Sequence, residues 1–145
     1  MNINIKLLNN LAKFPTCADS GSAGYDLYSA ISNDVQIPPH STVKIGTGIA
    51  LSIPLGYFGA IYARSGISTK RNLRPGNCVG IIDSSYRGEI IVALHNDSPE
   101  IKTVQAGERI AQLVIQKHEI INFIEVDELD ETDRGIEGFG STGDK

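Results

Sequence analysis

Gly76-Asn77-Cys78-Val79-Gly80-Ile81-Ile82-Asp83-Ser84-Ser85-Tyr86-Arg87-Gly88-Glu89-Ile90-Ile91-Val92-Ala93-Leu94 is the stretch on which the fold turns. Two apolar, β-branched runs, Val79 to Ile82 and Ile90 to Leu94, flank the polar segment Asp83 to Gly88. The pattern reads as a β-hairpin, with Gly88 free to take a positive φ where the chain turns back. Asp83 follows directly on a buried-looking strand, and Tyr86 lies in the loop beside it. A carboxylate at a strand end is held by a rigid element, which suits a catalytic base. The alternative is a turn aspartate that bonds its own backbone.

The chain has the same texture on both sides of this stretch. Ile3, Ile5 and Leu7 alternate with polar residues, and Ala23 to Ala30 reads as a short strand with one acid, Asp26. Thr42 to Ile45, Gly48 to Ile53 and Tyr57 to Tyr62 are further β-rich runs, broken by Pro38-Pro39 and Pro54-Leu55-Gly56. Ser68 to Asn72 has room for one helical turn, confined by Gly66 and Pro75. Beyond the central stretch, Glu108 to Gln116 is the longest apolar strand and Ile120 to Val126 closes the folded part. Many short strands punctuated by Gly and Pro predict an all-β, distorted antiparallel jelly roll over residues 1–126. Residues 127–145 are an acidic linker and a glycine-rich tail, expected to be mobile until something binds it.

Composition narrows the partners. A chain of 145 residues makes one domain that buries roughly 70% of its unfolded surface. The net charge of −4 gives the whole no attraction for nucleic acid or anionic membrane, so any phosphate must be held by a local cluster of cations. Cys17 and Cys78 form no C-x-x-C pair, which fits a reducing, intracellular compartment. Met1 to Asn10 lacks the apolar core of a signal peptide, and no run has the length of a membrane span, so a soluble protein is expected.

Gly138-Phe139-Gly140-Ser141-Thr142-Gly143 matches the dinucleotide fingerprint literally, but only two residues follow it, where that fingerprint must open a helix. What survives is physical: glycine amides and two hydroxyls can wrap phosphate oxygens, Arg134 can pair with one, and Phe139 can lie flat on a base. Arg64-Ser65-Gly66 offers a forked cation, a hydroxyl and a close-approach glycine, although an arginine after a strand is commonly a solvated rim residue. Gln112 shares a face with Ile110 and Val114 on a regular strand, and a satisfied structural glutamine is its default reading. The default for Asp26 is an edge-strand acid facing water. His40, His95 and His118 lack zinc-site spacing, and no G-x-S-x-G elbow occurs.

In order, these residues form a set: an acid at 26, Arg-Ser-Gly at 64 to 66, Asp83 and Tyr86, Arg-x-x-Gln at 109 to 112, and a glycine tail with Arg134 and Phe139. The set resembles the five motifs of the trimeric deoxyuridine triphosphate nucleotidohydrolases, the dUTPases. Ala23 to Ala30, Ala63 to Ser68, Gly76 to Gly88, Gly107 to Ile115 and Arg134 to Gly143 look like the five in turn. The resemblance implies a homotrimer of jelly rolls with sites at the subunit interfaces and a tail that crosses to a neighbour's site as a flap. It implies Mg²⁺-assisted hydrolysis of dUTP to dUMP and pyrophosphate, which limits uracil incorporation into DNA and supplies dUMP for dTMP synthesis.

Carried onto these positions, the resemblance makes Asp83 the base that activates water for attack on the α-phosphorus. Tyr86 would pack beneath the sugar and refuse a 2′-hydroxyl. Asn77 and the backbone at Gly80 and Ile82 would read the uracil edge, where unpaired polar groups can reject a wrong base by ~10⁴-fold. Arg64, Ser65, Gly66 and Gln112 would grip the phosphates, and Asp26 would reach Mg²⁺ through water. Arg134, Gly140, Ser141 and Thr142 would clamp the outer phosphates while Phe139 covers the base. Three positions depart from the family pattern: Ala63 replaces a proline, Ser85 an acid, and Glu137 a glycine. A deoxycytidine triphosphate deaminase of the same fold, or a jelly-roll trimer that binds without turnover, are the competing readings.

Overall fold

The computed structural model describes residues 1–136 and Gly138. In chain order the elements are β1 (Asn4–Leu7), β2 (Tyr25–Tyr28), β3 (Val35–Ile37), β4 (Thr42–Gly46), β5 (Ile49–Ser52) and β6 (Tyr57–Tyr62). Then come α1 (Ser65–Arg71), β7 (Leu73–Pro75), β8 (Gly80–Ile82), β9 (Ile91–Asn96), β10 (Lys102–Val104) and β11 (Arg109–Lys117). All strand pairs are antiparallel. A four-stranded sheet runs β2-β11-β6-β8 and a three-stranded sheet runs β4-β9-β7, with two-stranded ribbons β1-β5 and β3-β10 beside them. This is the expected all-β jelly roll. No helix among the described residues is long and apolar enough to cross a membrane.

The core lies between the two larger sheets. Leu27 and Ile110 from one side and Ile45, Leu73 and Leu94 from the other are essentially sealed from water. In β9 the alternation is clean, with Val92, Leu94 and Asn96 buried and Ile91 exposed. Truncating one of these leucines to alanine costs about 2–5 kcal/mol, from lost burial plus the cavity left behind. Asn96, fully buried, is tolerated because its amide donates to the carbonyls of Ile37, Pro38 and Glu100 while Ser98 donates back to its oxygen.

The central stretch is not a hairpin. β8 pairs with β6, whereas β9 pairs with β4 and β7 in the other sheet. Asp83 to Gly88 is therefore a crossing between sheets, closed by a turn in which the Tyr86 amide donates to the Asp83 carbonyl at 3.1 Å. β8 is not a buried strand either, since Ile81 is exposed. Nor does Gly88 take a positive φ, a conformation found at Gly48, Gly56, Gly107 and Gly135 among the described glycines.

The helix is longer and earlier than the single turn over Ser68 to Asn72. α1 begins at Ser65, pins itself to the core through Ile67, and ends on Asn72 in the left-handed region at φ 55°. Lys70 and Arg71 occupy its last turn, where cations suit the helix dipole. Ile120 to Val126, expected to close the folded part, carries no strand. Among the described residues the last strand is β11, and Ile120, Ile121, Phe123, Ile124 and Val126 stand exposed after it.

Candidate active site

The predicted residues gather in two places. Asn77, Gly80, Ile82, Asp83 and Tyr86 line one cavity of about 280 Å³, with Ile61 and Glu89 among the other walls. The floor is rigid because β8 is hydrogen-bonded to β6, placing Gly80 opposite Ile61 and Ile82 opposite Gly59. The loop that carries Asn77 is tied at both ends. The Gly76 amide donates to the Ala93 carbonyl at 2.7 Å and the Cys78 amide to the Pro75 carbonyl at 3.0 Å, with Cys78 at φ 62°. On β7 next to this loop, Arg74 donates to both oxygens of Asp97, and this hydrogen bonding raises the guanidinium pKa above its ordinary value.

Asp83 is exposed in the single chain, and no donor among the described residues reaches its carboxylate. The turn is closed by its backbone carbonyl, so the side chain is not consumed as a turn-forming group. Tyr86 is anchored, its hydroxyl donating to the Glu89 carbonyl at 3.0 Å.

The second place is built on β2, β11 and the start of α1. Asp26 is not an edge acid facing water: Arg64 Nε donates to its Oδ1 at 2.5 Å and Arg109 donates to its Oδ2 at 3.1 Å. Arg64 stands at the amino end of α1 in extended conformation, and Ser65 and Gly66 are the helix's first, exposed residues. Amides at such an end lack intrahelical partners. Gln112 donates to the Ala63 carbonyl at 2.8 Å, so it fixes the residue that precedes Arg64. Arg64, Gly66 and Arg109 border one shallow cavity with Arg71 and Glu108.

A bulge explains why Arg109 and Gln112 meet there. In a regular strand residues three apart point to opposite faces. The register of β11 against β2 slips between Arg109 and Ala111, pairing Arg109 with Tyr28 but Gln112 with Asp26. The extra residue, Ile110, is sealed in the core, and Arg109, Gln112 and Asp26 share the outer face. The sequence placed Gln112 on the face of Ile110 and named Arg109 only within the Arg-x-x-Gln spacing; the three-dimensional register brings it to Asp26.

A family model described as dUTPase matches residues 10–143. The chain belongs to the dUTPase family. The deoxyuridine 5′-triphosphate nucleotidohydrolase of Finegoldia magna is 45% identical over 142 residues, covering 97% of this chain and 99% of that protein. That of Corynebacterium efficiens is 48% identical over 130 residues, 89% of this chain and 71% of the relative. Among solved structures, a dUTPase variant of Staphylococcus bacteriophage 80alpha with dUpNHpp superposes with a TM-score of 0.87 at 31% identity, covering 98% of both chains. A phage phi11 dUTPase variant, described for the coordination of a structural Mg(II) ion, superposes with a TM-score of 0.79 at 28% identity, covering 88% of this chain and 98% of that one.

Within the dUTPase frame the first four motif regions fall inside the described residues. Of the fifth, Arg134 is described, while Phe139, Gly140, Ser141 and Thr142 lie outside the described residues. Asp83 and Arg64 lie beyond opposite ends of β6, while the cavity of Asp83 extends along β8 to Gly80, opposite Ile61. Asp83 follows the strand end that pairs near Phe58, and Arg64 lies just past Tyr62. At about 3.3 Å per residue, roughly 13 Å of strand lies between Phe58 and Tyr62.

Proposed function

We propose that the chain hydrolyses dUTP to dUMP and pyrophosphate at a site completed between copies of itself. The observation that carries this reading is the single cavity on which Asn77, Gly80, Ile82, Asp83 and Tyr86 converge in a chain of the dUTPase family. Asn77 and the backbone at Gly80 and Ile82 pair with the uracil edge. Tyr86 lies beneath the deoxyribose and leaves no space for a 2′-hydroxyl. Asp83 accepts a proton from water, whose oxygen attacks the α-phosphorus in line. The bond from that phosphorus to the α–β bridging oxygen breaks, and pyrophosphate leaves. An exposed carboxylate with no donor among the described residues keeps both oxygens available, one for the water and one for the 3′-hydroxyl.

Arg64, Ser65, Gly66 and Gln112 hold the phosphates, where positioning and charge neutralisation supply most of the rate. The length of β6 between Asp83 and Arg64, roughly 13 Å, supports a site shared by two copies, one giving the nucleoside cavity and the other the arginine cluster. The exposed apolar residues after β11 support the same conclusion, because a patch of that kind marks an interaction surface. The assembly we propose is a homotrimer in which residues 127–145, with Arg134 and Phe139 to Thr142, cross to a neighbour's site and close over base and phosphates.

Mg²⁺ belongs with the triphosphate in this reading. No three His, Cys, Asp or Glu side chains converge among the described residues. Asp26 already accepts from two arginines, but an ionised carboxylate has about four acceptor positions, so it fits a water of the metal shell rather than the ion itself. When bound, the ion neutralises phosphate charge. Cys17 and Cys78 are both free and exposed, which supports a reducing, intracellular setting.

The test is release of pyrophosphate in Mg²⁺ buffer from each common deoxynucleoside triphosphate and from UTP. Release from dUTP alone is expected. Ammonia from dCTP would make the chain a deaminase, and tight dUTP binding without turnover would make it a binding protein.

A further inference from the structure

Gly88 lies against the ring of Tyr86, one wall of the cavity that also holds Asp83. A Cβ built on it would lie 2.4 Å from the Tyr86 hydroxyl oxygen, 2.6 Å from Cζ and 3.0 Å from Cε2. These separations are far inside van der Waals contact, so the ring and the glycine cannot both stay in place once a methyl is added. Gly88 does not have a positive φ, so an alanine backbone fits there and only the methyl is refused. The other constraint on the ring is the bond from its hydroxyl to the Glu89 carbonyl. Tyr86 is 43% exposed, which leaves the ring somewhere to go without disturbing the core.

From this we infer that Gly88 is a specificity-positioning residue: it is the seat, and the Glu89 carbonyl the tether, that set the Tyr86 ring at the height where it admits deoxyribose and refuses ribose. The inference rests on the proposed placement of Tyr86 beneath the sugar. It adds that discrimination resides in how the ring is held as well as in its presence. Gly88 touches no substrate and acts through Tyr86 alone.

The experiment is a double-mutant cycle on full-length protein with Gly88→Ala, Tyr86→Ala and both together. It measures kcat and KM for dUTP and UTP, with a thermal melt of each variant. Gly88→Ala is expected to lower the dUTP-to-UTP ratio of kcat/KM about tenfold or more, chiefly through KM, at a near-native melting temperature. In the Tyr86→Ala background it should have no further effect. Tyr86→Phe, which keeps the ring and removes only the tether, should lower the ratio by a smaller factor, and it stands in should Gly88→Ala fail to fold. If Tyr86→Ala admits UTP while Gly88→Ala or Tyr86→Phe leaves selectivity unchanged, the seat is refuted and the sugar reading stands. An equal effect of Gly88→Ala in both backgrounds also refutes it. If Tyr86→Ala itself leaves selectivity unchanged, the sugar reading falls, and the seat with it.

Discussion

Asp83 is exposed, and its turn is made by its carbonyl, so the carboxylate can be altered without loss of structure. Asp83→Asn keeps the shape and removes the base. Turnover of dUTP should fall by about 10²–10⁴-fold, the usual contribution of a general base. Binding of a non-hydrolysable dUTP analogue by calorimetry should be nearly unchanged, and joint loss of binding and folding would make Asp83 structural. Arg109 carries a second expectation. It reaches Asp26 from the opposite side to Arg64, so Arg109→Ala should leave Arg64 less well oriented and lower kcat/KM about tenfold, as suits the loss of one charge-assisted contact. Steady-state kinetics with dUTP check this, and wild-type values would show that Arg64 needs no second clamp. Asp83, Tyr86 and Arg64 were legible because their motifs are local. Arg109 was not, since its approach to Asp26 depends on one inserted residue in β11 that no spacing rule reveals.

The strands that read true are those whose alternation or length is self-evident: β1, β2 and β6 fall within predicted runs, and β11 passes the end of its run by one residue, Lys117. Errors arose where a local pattern was compatible with more than one partner. An apolar–polar–apolar stretch looks the same whether its arms pair with each other or part for different sheets, and β8 and β9 part. The helix was misjudged because Gly66 and the lack of a capping side chain at Arg64 weaken its start, while burial of Ile67 secures it. Ile120 to Val126 has a strand's composition but finds no partner strand among the described residues. The folded elements end at Lys117, so a chain ending at Asp133 should keep its circular dichroism and its melting temperature. The proposed flap predicts that this truncation loses most dUTP hydrolysis; a fully active truncated protein would remove residues 134–145 from the mechanism.

At the scale of the molecule, fold and family follow from the sequence, while the proposed site is completed only in an assembly. The proposed sharing of Asp83 and Arg64 between two copies predicts complementation. Inactive Asp83→Asn and Arg64→Ala chains, unfolded and refolded together, should regain dUTP hydrolysis because mixed assemblies contain sites with both residues intact. Each variant refolded alone should remain inactive, and no recovery in the mixture would place the whole site within one chain. The central claim is narrower still: water, activated at Asp83, attacks the α-phosphorus of dUTP. Hydrolysis in ¹⁸O-labelled water followed by mass spectrometry of both products tests it most directly. The account predicts the heavy oxygen in dUMP and none in pyrophosphate; label in pyrophosphate would contradict it.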